Sequence, residues 1–274
     1  MLAQMDAAGI DHGVLSLAGL FGVDTLPASE AVPLLTGYNR DLAELCRTYP
    51  KRFSGLAALP LQDLDQAKHE LETAIASGLI GAILPIDAFR SPTDVAILHP
   101  LLACLNRLGA HLFLHPGPWP GRTYPAAIED VSSPLNTALR HSVLSVQAAV
   151  SEAMLTLCLT DCLSPYPDLT VQVANLGGNL AWLVERMDHL QQLRAPDSLP
   201  PGEQLGRVCV DTATFGPRAI DMAAEVFGVD RLLFGTDAPI FDRDQSRNGL
   251  EASRVGSDVL AASWRLLTRY RTEI

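Results

Sequence analysis

The chain has 274 residues, 48% of them hydrophobic, and a formal net charge of −11 from 20 basic and 31 acidic residues. That length and composition suit one large domain with a full core rather than two small ones. An acidic balance without any basic run argues against nucleic-acid and anionic-membrane partners, and the longest apolar stretches, such as 79–85, are too short to cross a bilayer.

Taken from the amino terminus, MLAQMDAAG reads as the second half of a helix ended by Gly9, with no positive n-region or apolar h-region of a secretory signal. Apolar runs then alternate with amphipathic stretches, the pattern of βα units and a parallel sheet. Strands are expected at 12–17, 53–59, 81–86, 111–115, 169–175, 207–212 and 231–236. Helices are expected at 31–49, 63–77, 94–108, 142–163, 180–193, 217–227 and 257–270. Nothing in composition interrupts this repetition, so the expectation is a single α/β domain over 1–274. The common closed form of such a fold has eight strands. Seven units following a half helix point to a (β/α)8 TIM barrel missing its first strand, incomplete at the amino terminus. An unpaired barrel edge would favour association into a homo-oligomer.

Five cysteines, at 46, 104, 158, 162 and 209, follow no disulfide framework and read as free thiols in a reducing, cytoplasmic compartment. Cys158 and Cys162 fall on one expected helix and can share a face. Only Lys51 and Lys68 are lysines, neither at the carboxyl end of a strand. Schiff-base, pyridoxal-phosphate and carbamylated-lysine chemistry are thereby disfavoured.

Four polar residues stand where an expected strand stops, which is where parallel α/β proteins place their chemistry. His115 closes HLFLHPG, Asn175 closes LTVQVAN before Gly177-Gly178, Asp211 lies in RVCVDTA, and Asp237 follows RLLFGT. Histidine with carboxylates suits a metal that polarises a substrate or activates water, and Asp237 can be ligand, proton shuttle or both. Asp211 is read equally as a substrate contact and as a cap on loop amides, and Asn175, a poor soft-metal donor, faces substrate or is structural. The long connection 116–139 holds Trp119, Arg122 and Tyr124 as a candidate lid. Arg122 is the candidate grip on a substrate carboxylate, since guanidinium pairs bidentately with carboxylates. The remaining histidines sit at strand beginnings or along helices and read as packing or surface residues, with His141 nearest the active side.

The stretches MDAAGID, YPKRFSGLAALPLQD, FLHPG, YPDLTVQVANLGGNLAWLVERMD, VDTATF and DRLLFGTDAP cover the chain in order. In them it resembles the amidohydrolase superfamily, in the branch of aminocarboxymuconate-semialdehyde decarboxylase and related hydrolases and decarboxylases. The resemblance implies a distorted (β/α)8 barrel holding one divalent metal, often zinc. His115 matches the strand-end histidine that binds metal or substrate, and Asp237 the aspartate that is metal ligand and acid/base. Two departures stand out. The His-x-His strand that opens such proteins is not found, and Asn175 replaces a usual histidine, so only His115 and Asp237 remain of the principal metal residues. The expectation is a metal-dependent hydrolase or non-oxidative decarboxylase of a small carboxylated or cyclic substrate. The alternative is a catalytically silent barrel, without a metal, that binds a small molecule or a protein.

Overall fold

Among the described residues seven strands form, and every described pairing between them is parallel. The computed structural model describes residues 1–17, 23, 25–122 and 139–270. Contacts group the chain into two compact units, Met1–Ser145 with Cys162–Val171, and Val146–Asp161 with Gln172–Ile274.

In the first unit, α1 (Leu2–Ala7) is closed by Gly9 at φ 62, a left-handed conformation that glycine adopts without steric penalty. Strands β1 (Gly13–Leu15), β2 (Phe53–Ala58), β3 (Gly81–Pro85) and β4 (His111–His115) pair in chain order. Every residue of β2 is buried, as a strand covered on both faces requires. Helix α2 (Ala28–Thr48) begins three residues before the expected start, with Pro33 inside it. It docks on β2 through Asn39, whose amide donates to the Ala58 carbonyl (2.9 Å) and accepts the Ala58 N–H (2.9 Å). The same amide donates to Glu70 (2.8 Å), which also receives the Thr36 hydroxyl (2.7 Å). Glu70 belongs to α3 (Leu64–Ala76), which Asp63 caps by accepting two backbone N–H groups. The helix expected over 94–108 is two helices, α4 (Pro92–Ile97) and α5 (His99–Arg107). Pro100 removes a backbone donor there, and Leu98 serves as C-cap of one helix and N-cap of the next.

The second unit holds α6 (Val146–Leu159), followed through its strands by α7 (Leu180–Arg194), α8 (Pro217–Phe227), α9 (Arg243–Glu251) and α10 (Gly256–Tyr270). Strand β5 (Thr170–Val173) pairs through Gln172 and Val173 with β6 (Cys209–Asp211), and β6 pairs with β7 (Leu232–Leu233). The helix expected over 142–163 is shorter. A π-helical turn, Leu139–Ser145, precedes α6, and Asp161–Leu163 is a separate 3-10 turn. Cys162 therefore does not continue the helix that carries Cys158. No cysteine forms a disulfide, and burial pushes the Cys46 thiol up to about 11.

Candidate functional site

In the first unit the carboxyl ends of β3 and β4 lie side by side, with Pro85 opposite His115. Leu112 and Leu114 are fully buried, and the period-two alternation puts Phe113 and His115 on the other face of β4. Their rings meet edge to face, centroids 5.8 Å apart. The His115 Nδ1 lies 3.0 Å from the Pro116 carbonyl, which can only accept, so Nδ1 carries a proton and the ring is oriented by this bond. Metal- and substrate-binding histidines are commonly oriented this way.

Two residues past β3, Asp87 is 4% exposed and gathers three donors. The Arg90 Nη1 (3.2 Å), the Trp119 backbone N–H (3.2 Å) and the Arg122 Nη1 (3.5 Å) all reach its carboxylate. Arg122 also donates to Asp94 at 2.7 Å. Partial burial pushes the Asp94 carboxyl up, but hydrogen bonds from Ser91 and Arg122 and the charges of Arg122 and Arg90 outweigh it and hold Asp94 below the usual carboxylate range. The hydrogen bond to Asp94 and the charges of Asp94 and Asp87 in turn raise Arg122. The Arg122 guanidinium is thus already engaged by two carboxylates. Trp119 lines a cleft of about 680 Å³ with Leu26, Pro27, Leu61, Gln62 and Leu64, built from the segments that follow β1, β2 and β4. Tyr124 and the side chain of His141 lie outside the described residues.

In the second unit, backbone strain marks the strand ends. Asn175 (φ 57), Leu176 (φ 49), Thr214 (φ 68) and Asp237 (φ 52) are the left-handed non-glycine residues among those described, and all four follow β5, β6 or β7. Asn and Asp tolerate this region, but for leucine and β-branched threonine it costs on the order of 1–3 kcal/mol, and such strain gathers at functional sites. Gly178 continues the left-handed run at φ 77, and any Cβ there would lie 2.4 Å from the Ser151 Oγ.

Asp211 is 3% exposed. It accepts the Ala213 N–H (3.2 Å) and the Gln172 side-chain amide (3.2 Å), so it both caps its loop and holds a second polar side chain. Gly235 keeps the space beside it open, since a Cβ there would sit 3.3 Å from the Asp211 Cβ. Asp237 is half-buried two residues on. Ser246, fully buried on α9, accepts the Thr214 N–H (3.1 Å) and donates to the Thr236 carbonyl (3.5 Å), joining the turns after β6 and β7. Gly249, one turn along α9, permits this approach: a Cβ there would lie 2.4 Å from the Phe215 carbonyl oxygen.

His115 is therefore brought beside Asp87 and the Trp119–Arg122 segment, while Asn175, Asp211 and Asp237 stand at the ends of the second unit's strands. Asp87, Gln172 and Ser246 were missed from sequence. Asp87 was within reach, because GAILPID places a carboxylate just past a buried run, as FGTD does at Asp237. Gln172 inside a strand and Ser246 on an unexpected helix carry no such signal.

The amidohydrolase family profile matches residues 4–256. The chain belongs to the amidohydrolase family. This family places the chain among enzymes, and its relatives are carboxy-lyases. A gamma-resorcylate decarboxylase from Rhizobium radiobacter is 27% identical, over 93% of this chain and 80% of that one. A 2-amino-3-carboxymuconate-6-semialdehyde decarboxylase from Dictyostelium discoideum is 25% identical over 87% and 65%. A solved dihydroxybenzoic acid decarboxylase from Polaromonas sp. JS666, with bound manganese and the inhibitor 2-nitroresorcinol, shares the fold. Its TM-score is 0.71 at 20% identity, covering 98% of this chain and 84% of that one.

Among the described residues of this amidohydrolase no group of three or more His, Cys, Asp or Glu side chains is placed to hold a metal ion. A tight site wants three or four protein donors.

Proposed function

We propose that this amidohydrolase is a non-oxidative decarboxylase of a monocyclic aromatic carboxylic acid. The observation that carries the reading is similarity to a decarboxylase over 93% of this chain, joined to a strand-end His115 whose ring is oriented by the bond from Nδ1 to the Pro116 carbonyl. The same reading takes the strands as members of a distorted (β/α)8 barrel, supported by parallel β-strands alternating with helices and by the shared fold.

In such a reaction a proton is added at the ring carbon that bears the carboxylate. The bond from that carbon to the carboxyl carbon then breaks, its electron pair restores the aromatic ring, and carbon dioxide departs. Asp237 is the acid in this proposal, at a strand end where a left-handed turn fixes it. His115 orients the substrate, Trp119 packs against its ring, and Asn175 and Asp211 are the polar residues available to its substituents, Arg122 being engaged by Asp87 and Asp94.

The test is anaerobic incubation with a panel of hydroxybenzoates, with and without added manganese, following carbon dioxide release and the phenolic product. Asp237→Asn is expected to lower kcat by about 10²–10⁴-fold, the usual contribution of a positioned acid. His115→Ala should lose activity comparably. A folded chain that binds an aromatic acid but releases no carbon dioxide would instead be a binding protein.

A further inference from the structure

The cleft beside Trp119 is walled by a segment whose placement traces to one buried side chain. Asp87 holds residues 117–122 at successive points. Its backbone N–H donates to the Gly117 carbonyl (3.4 Å). Its carboxylate accepts the Trp119 N–H (3.2 Å) and faces the Arg122 guanidinium (3.5 Å), and the other oxygen takes Arg90 (3.2 Å). This segment begins directly after His115, and Trp119 and Gly121 both line the cleft. A loop has many conformations to lose on ordering. A buried carboxylate bonded to its backbone removes that freedom before any ligand arrives.

We propose that Asp87 is a positioning residue: it holds the Trp119 segment as a preformed wall of the cleft, and so sets how tightly an aromatic carboxylic acid is bound. The proposal rests on the decarboxylase reading for its ligand, but not for the loop geometry. Asp87 touches neither ligand nor reacting atoms in this role, so its removal acts on binding rather than on bond breaking. Arg122 serves the same end, because its charge is spent on Asp87 and Asp94.

Trp119 reports on the loop directly. The other tryptophans, Trp182 and Trp264, are 77% and 50% exposed and can be replaced by phenylalanine to leave one emitter. In that background, Asp87→Asn keeps the size and one acceptor but loses both ion pairs, and Asp87→Ala loses the acceptor as well. Expected are a red-shifted Trp119 emission and readier acrylamide quenching, larger for alanine than asparagine. Asp221→Asn, which breaks an unrelated ion pair with Arg254, should leave the emission unchanged. For 2,6-dihydroxybenzoate, Asp87→Asn should raise KM by about tenfold with kcat within about threefold, the pattern of lost uniform binding.

If the wild type proves inactive, the decarboxylase reading fails, while the emission and quenching of Trp119 still judge the loop. Emission, quenching and KM all matching wild type in Asp87→Asn would overturn the proposal. A fall in kcat at unchanged KM would overturn it too, by assigning Asp87 to the chemical step.

Discussion

Arg122 and Asp94 show how one residue's surroundings decide what it can do. A guanidinium near a ligand cleft suggests a grip on a substrate carboxylate, yet here two carboxylates of the chain already claim it. The pairing has a pH signature. Asp94 is held below its ordinary value, so the pairing is complete above the unfolded carboxylate range, about 3.9. It is lost as pH falls through the lowered folded value. The charged groups around Asp94 are Arg122 and Arg90, with Asp87 sharing both arginines and Ser91 donating a hydrogen bond. With Trp119 as sole emitter, its signal should be flat from pH 8 to about 5 and change only below about 4, where carboxylates protonate. Asp94→Asn should show part of that change already at pH 7. A transition centred near pH 6 would contradict this account. The strained residues argue at the same scale: Thr214 and Leu176 hold conformations their own chemistry resists, so the surrounding contacts impose them.

At the scale of elements, docking rests on a few buried polar contacts. Asn39 gives Ala58 of β2 the donor and acceptor that a neighbouring strand would otherwise supply, and ties α2 to α3 through Glu70. Asn39→Ala leaves the Ala58 groups and a buried carboxylate without that partner. It should destabilise the chain by about 2–3 kcal/mol in urea unfolding, the cost of stranding buried polar groups. A loss below about 0.5 kcal/mol would place the docking in apolar packing instead. Helix α9 teaches a second lesson. Its sequence, RDQSRNGLE, is polar with an internal glycine, and no apolar periodicity announces it. Asp242 caps it, while Ser246 and Gly249 fit it against the turns after β6 and β7. Local pattern fails there because the contacts that stabilise the helix are distant in sequence. The break between α4 and α5 has the opposite origin: Pro100 dictates it locally, although the apolar periodicity over 94–108 read as one continuous helix.

For the molecule as a whole, the donor set decides how strongly a cation is held. On the resemblance read from the sequence, His115 and Asp237 would be the metal ligands, with Asn175 a poor third donor. Elemental mass spectrometry after exposure to manganese or zinc and desalting should find well under one metal per chain. Near-stoichiometric metal, lost in both His115→Ala and Asp237→Ala, would mean that further residues complete the site.

The order of the strands, and of the helices apart from α9 and the split into α4 and α5, followed from hydrophobic periodicity, because burial of alternate or continuous apolar runs is a property of the local chain. His115, Asn175, Asp211 and Asp237 emerged from the same rule, as polar residues where buried runs stop. Tertiary structure alone decided their partners. It gave Arg122 to Asp87 and Asp94, set Gln172 against Asp211, and put Ser246 between two turns. Hydrogen bonds and ion pairs form between whatever groups the fold brings within about 3 Å. That proximity joins residues tens of positions apart, and no local pattern records it.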